Sequence, residues 1–331
     1  MPGSDVTVAT PAAQISVRTR AMATDISITV ALHDTNSTNG TLEGCLARAA
    51  GVFTEVDRTC SRFKPDSPLS RANAAPDSWF RVPATCFDSI GEAWNAYRST
   101  GGLFDPRVLT DLLRLGYDRS LPFAGSAVEI RTGAEPAKVQ PPRPAPHEWK
   151  PGFRPETRQV RVSEPIDLGG IGKGLAVRWA SHRLDEAVGD YLVEAGGDCY
   201  CSGRAPSGNM WTVGVEDPAD PHQLIAALDL RDRACTTSSI RLRNWKVDGV
   251  AVHHIIDPRT GGPGGCGLLS VTVVGEDPAL SEVWSKTLFL NGAERIGDEA
   301  AAAGIAALWV TDAHQICMTA PMEGYVRWLR P

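Results

Sequence analysis

The sequence predicts an α+β fold, and three observations predict it. Amphipathic helical patterns and short strands follow one another without the regular alternation of a doubly wound sheet. No internal repeat is present that would indicate a solenoid or propeller. The apolar patterns on either side of the proline-rich stretch 121–157 are each incomplete alone, so the chain is not cut there. The expectation is an N-terminal arm over 1–20 and one domain over 21–331. It has mixed and antiparallel sheets, packed helices, and 121–157 as an ordered excursion or lid.

Each element follows from local patterning. Residues 26–30, "ISITV", alternate as a strand does. Leu42, Cys45, Leu46, Ala49, Phe53 and Val56 repeat at three-and-four spacing, which predicts a helix. A second helix carries Phe87, Ile90, Trp94 and Tyr97 and should stop at Gly101-Gly102. A third follows Gly174, with Leu175, Trp179 and Leu184 toward the core. Short strands come next in "DYLVEAGG", "WTVGV", "LIAALDL", "HHIID" and "LLSVTVV". A helix over about 278–291 and strands "IAALWVT" and "QICMTA" close the chain.

Composition narrows the function classes. The 331 residues carry 42% apolar and 22% charged side chains, as globular proteins do. The formal charge of −6, with basic residues scattered, argues against nucleic-acid binding. "RLRNW" and "YVRWLR" read as an edge and a terminal strand. The N-terminal residues lack a basic stretch followed by an apolar one, and the longest apolar run, Ala300 to Val310, is short of the ~20 residues that span a bilayer. A cytoplasmic protein without a membrane partner is expected. The eight cysteines show no zinc spacing, and Cys199 and Cys201 read as two buried thiols on one strand face.

The chemistry-bearing string is "IDLGGIGKGL", Ile166 to Leu175. It is not a Walker A loop, because Gly174 stands where a hydroxyl should follow Lys173. It is not a dinucleotide fingerprint either: Gly170, Gly172 and Gly174 give G-x-G-x-G. Glycines at a helix N-terminus still suit close approach by an anion. Three more segments accompany it: "GGLFDPRV" with Asp105, "EAGGDCYCSG" with Gly196 and Gly197, and "HHIIDPRTGGP" with His254, Asp257 and Thr260.

With "MAT" (Met22 to Thr24), "SRFKPDSPLSRAN", "TTSS" and "SVTVV", this order resembles the FAD:protein FMN transferases, the ApbE-type flavin transferases, over roughly 20–330. The resemblance implies an α+β fold binding FAD and a magnesium-assisted reaction. A Ser or Thr hydroxyl of a partner protein attacks the FMN-side phosphate, and AMP leaves. It implies that Asp167, Gly169, Gly170, Lys173 and Gly174 line the diphosphate, and that Met22, Asp105, Gly196, Gly197 and Thr260 complete the FAD seat. Thr236, Thr237 and Ser238 would contact flavin or ribityl groups. His254, as base, and Asp257 would sit by the reacting phosphate.

Several positions depart from the family pattern. Its magnesium is held by an Asp and a Thr four apart on a helix, with a carbonyl from the glycine loop. The corresponding residues here are Glu282, Lys286 and Gly172. A charged ammonium is no metal ligand, so Lys286 is assigned to the reacting centre, and Gly172 and Glu282 remain the metal candidates. Arg107, Arg178 and Ser239 also replace the usual residues. Three readings follow: FMN transfer with an altered metal site; a flavin-binding protein of the same fold repurposed as an FAD- or FMN-dependent oxidoreductase or other enzyme in a specialised pathway, without magnesium-dependent transfer; or a non-catalytic flavin carrier or interaction module.

Overall fold

The computed structural model describes residues 13–33, 39–123, 128–131, 148–220 and 222–331. Eight strands form the main sheet: β1 (Ala13–Ala21), β2 (Thr24–Leu32), β3 (Tyr191–Ala195), β4 (Asp198–Ser202), β5 (Arg233–Ser239), β6 (Leu268–Gly275), β7 (Ala306–Thr311) and β8 (Ile316–Met318). They lie side by side in chain order, and every neighbouring pair is antiparallel.

Alternation along the strands supplies two apolar faces. Ile26, Ile28, Val30 and Val193 face a helical layer, while Cys199, Cys201, Cys235, Leu308 and Val310 face the other way. That second face is covered by a small sheet of Trp211–Glu216, Leu224–Leu230 and Val326–Leu329. The "C-x-C" thiols are therefore buried on one face, as expected.

The helical layer contains α1 (Asn39–Cys60), α2 (Ala84–Ser99), α3 (Gly172–Asp185), α4 (Pro278–Leu290) and α5 (Gly292–Ala302). All six apolar positions predicted for α1 are buried. In α2 the buried stripe runs through Cys86, Ile90, Ala93 and Ala96, with Phe87, Trp94 and Tyr97 packed at its margin. Its chain reversal uses Gly101 and Gly102 at φ +60° and +85°, a region that favours glycine. α4 starts at Pro278, and the Asp277 side chain accepts from Leu280 N at 2.9 Å.

The structure revises three expectations. Residues 13–20, expected as an arm, are part of β1, paired along its length with β2. α5 was not anticipated, because its Ala-rich end merges in sequence with the apolar strand β7. "HHIID" is not one strand: Val250–His253 and Ile256–Asp257 belong to different small sheets, and the chain turns between them at His254. Within 121–157, the segments 124–127 and 132–147 lie outside the described residues. The flanks hold strands Glu129–Ile130 and Gly152–Arg154, and Trp149 is buried in the main helical core.

Candidate functional site

The glycine string is fastened at its N-terminal end before it reaches the helix. Asn73, closing "SRAN", donates to the Ile166 carbonyl at 2.8 Å and accepts from Ile166 N at 3.0 Å. Asp167 donates its own N–H to the Pro106 carbonyl at 2.8 Å, and its carboxylate accepts from Gly169 N at 2.9 Å. Each glycine then has a distinct task. A Cβ at Gly170 would stand 2.9 Å from Phe104 and 3.6 Å from Lys286, so this residue forms the wall between loop and α4. A Cβ at Gly174 would stand 2.5 Å from the Pro278 carbonyl oxygen, so α3 and α4 cross here backbone to backbone.

That crossing places Glu282, 1% exposed, against the start of α3. Its Oε2 accepts from Gly174 N at 2.8 Å, and its Oε1 lies 3.1 Å from both Lys173 Nζ and Lys286 Nζ. Lys173 also pairs with the buried carboxylate of Asp198, whose second oxygen accepts from Thr237 N at 3.1 Å. Burial alone would raise the Glu282 carboxyl; the two ammonium groups and the Gly174 N–H overcome it and hold the pKa at about 2. Burial lowers Lys173 to about 8 despite the attraction of Glu282, with Lys286 and Arg243 adding repulsion.

Beside this network lies a cleft open to solvent. Its walls include Phe63, Phe104 and Tyr117, and its polar groups are Arg62, Asp105, Asp167, Arg243, His254 and Lys286. Burial first, then Arg243 and Lys286, push the His254 pKa well below the usual histidine value, so the ring is neutral. Its Nδ1 lies 3.3 Å from the Arg243 carbonyl. With the proton on Nδ1, Nε2 keeps a free lone pair. Arg62 lies against the Phe63 and Tyr117 rings, its side chain 4% exposed. It donates one bond, from Nη1 to the Tyr117 carbonyl at 2.7 Å, and its Nε stands 3.3 Å from Asp167 in an ion pair.

The structure thus brings Asp105, Asp167, Gly169, Gly170, His254 and Lys286 to one cleft, with Lys173, Gly174 and Glu282 directly behind it. It does not bring in the others. Asp257 is bound bidentately by Arg259 at 2.7 to 3.1 Å and organises the turn that contains the exposed Thr260. Thr236 is fully buried; Thr237 Oγ1 bonds Thr272 Oγ1 at 2.9 Å, and Ser238 bonds Ser285 at 2.7 Å. Their strand packs against α4, and none of the three lines the cleft. Gly196 and Gly197 form the exposed β3–β4 hairpin, and Met22 lies beside Gly172 outside the cleft walls.

Arg62 and Arg243 were missed. Arg62 stands inside a segment the sequence singles out, but nothing in spacing shows that its long side chain turns inward. Two departures have structural explanations. Arg107 is a buried clamp on Asp105 and Glu164, and Arg178 ties Glu92 to Asp277 at the cap of α4.

A family model described as "ApbE family" matches residues 22–309. The chain belongs to the ApbE family. It is 26% identical to the FAD:protein FMN transferase of Klebsiella pneumoniae (strain 342), covering 87% of this chain and 81% of that protein. The Salmonella typhimurium protein of the same name is also 26% identical, with 86% and 81% covered. Among solved structures, the ApbE protein of Thermotoga maritima superposes with a TM-score of 0.77 at 24% identity, covering 96% of this chain and all of that one. The flavin transferase ApbE of Vibrio cholerae gives 0.73 at 23% identity, with 95% and 100% covered. At such identities these structures establish the shared fold.

The magnesium implied by resemblance to the ApbE family does not fit this chain's residues. Magnesium requires near-octahedral oxygen ligands at about 2.0–2.1 Å. Both Glu282 oxygens are engaged by protein donors, and the position four residues on is a cation. Gly172 is not placed to help: it opens α3 outside the cleft, and the loop residue facing Lys286 is Gly170. Among the described residues, no group of three or more His, Cys, Asp or Glu side chains could hold a metal ion. No helix of the described residues is long and apolar enough to cross a membrane.

Proposed function

We propose that the protein transfers FMN from FAD to a Ser or Thr hydroxyl of an acceptor protein. The observation that carries this reading is the match to FAD:protein FMN transferases over most of both chains. The cleft supports it with cationic groups and a neutral imidazole beside the glycine loop. The acceptor oxygen bonds to the FMN-side phosphorus, the bond from that phosphorus to the bridging oxygen breaks, and AMP leaves with that oxygen. His254 takes the hydroxyl proton on its free nitrogen. Phe63, exposed at the cleft wall, offers aromatic surface against which a ring system can pack. The eight cysteines are all free, which suits a reducing, cytoplasmic compartment.

The test is to mix the purified protein with FAD and Thr-bearing candidate acceptors, then weigh each acceptor and quantify AMP. The expected result is an acceptor heavier by one esterified FMN, with equimolar AMP, abolished in His254→Ala. FAD binding with no acceptor gaining mass, beside a working authentic transferase, would overturn the reading.

A further inference from the structure

We infer that this chain's own cations, Lys286, Arg62 and Arg243, bind the diphosphate of the substrate in place of a divalent metal, so that the site works without one. The inference rests on the FAD reading above.

Three independent features lead to it. First, Lys286 is held where an ammonium can serve. Among the described residues its Nζ hydrogen-bonds only Glu282, at the carboxylate Oε1 (3.1 Å) and the carbonyl oxygen (3.5 Å), and Lys173 contacts the same Oε1. The Glu282 charge is thus shared between two lysines, and Lys286, 17% exposed, lines the cleft with donor capacity left over.

Second, Arg62 has buried donor capacity left over. Among the described residues its buried Nη2 lacks a hydrogen-bond acceptor, and its Nε meets Asp167 as an ion pair at 3.3 Å without a hydrogen bond, although the side chain borders the cleft. Unmet donors on a charged side chain are costly to bury. A phosphate oxygen would satisfy them, and the fork geometry of guanidinium suits it.

Third, Arg243 adds a further positive charge to the same wall. Arg243 and Lys286 both act electrostatically on His254 and on Lys173, so all four groups lie within reach of one another. Cations grouped so closely repel unless an anion joins them, and a diphosphate supplies two negative charges. A bound metal ion would instead add to the repulsion. That is the physical reason the lysine and a metal are alternatives at this place.

The test measures FAD and riboflavin affinity by flavin fluorescence, in EDTA and in magnesium. FAD should bind equally in both buffers, to within about twofold. Lys286→Met and Arg62→Met should each weaken FAD by at least about tenfold while leaving riboflavin, which lacks phosphate, unchanged. Lys286→Arg should restore most of the loss, which separates charge from packing. FAD binding that requires magnesium overturns the inference and leaves the flavin reading standing. Equal losses for FAD and riboflavin in the Met variants also overturn it. Failure of both flavins to bind in either buffer overturns the flavin reading and this inference together.

Discussion

Glu282 joins Lys173, Lys286 and the Gly174 N–H, and its replacement is the sharpest test at the residue scale. Glu282→Gln keeps the shape and an acceptor for Gly174 N but removes the negative charge between two lysines. Lys173 keeps Asp198, but the two ammonium groups lose the carboxylate between them, which should cost about 3 kcal/mol, by analogy with other broken buried pairs. Urea unfolding would show it as a lower midpoint. Arg295→Ala, which removes an exposed helix pair with Glu299, should change stability by no more than about 0.5 kcal/mol. Comparable effects for the two variants would show that the buried network is not holding α3 to α4. Glu282 and Lys286 were legible as a helix pair four residues apart. Their third partner, Lys173, lies 109 residues from Glu282, and only folding makes that contact.

The crossing of α3 over α4 decides the site at the element scale. Gly174 allows it, since a side chain there would meet the backbone of Pro278 and Ala279. Gly174→Ala should therefore cost about 2 kcal/mol through overpacking, well beyond the effect of a methyl on a free helix surface. The same change should weaken FAD binding, because separating the helices pulls Glu282 from Gly174 N and moves Lys286 away from the cleft. An alanine variant with unchanged melting temperature and flavin affinity would refute the close crossing. Sequence reasoning placed a helix at this glycine from its position after the strand-like run. It assigned the glycine to phosphate, whereas packing assigns it to the neighbouring helix.

At the scale of the whole molecule, acid should unfold the protein in two overlapping stages. Burial lowers the His253 pKa from 6.5 to about 4, and the lysines hold Glu282 at about 2 against an ordinary 4.5. In both cases the unfolded chain binds a proton that the native state refuses. Stability therefore rises with pH across each window, and on acidification it falls from pH 6.5 toward 4 and then from 4.5 toward 2. His254, whose pKa burial also depresses, acts over the same first window, so His253→Phe should make the first limb shallower without abolishing it and should spare the second, as read by urea midpoints along a pH series. A wild-type midpoint that does not move between pH 6.5 and 4 would contradict the assignment.

Local patterning by itself determined the α+β class, the register of α1 and the two-faced strands, because periodicity and turn residues act over a few positions. It also marked the string that borders the cleft, while the order of the motifs carried the resemblance to the family and set Glu282 and Lys286 apart as departures from its pattern. The tertiary structure decided what those residues do. Arg62 and Arg243 joined the site, Asp257, Thr260 and Thr236 to Ser238 left it, and Gly170 rather than Gly172 came to face Lys286. The reason is the same throughout. A long side chain's direction, and the carboxylate that will share its charge, depend on elements a hundred residues away being packed within hydrogen-bond distance, and no local pattern encodes that distance.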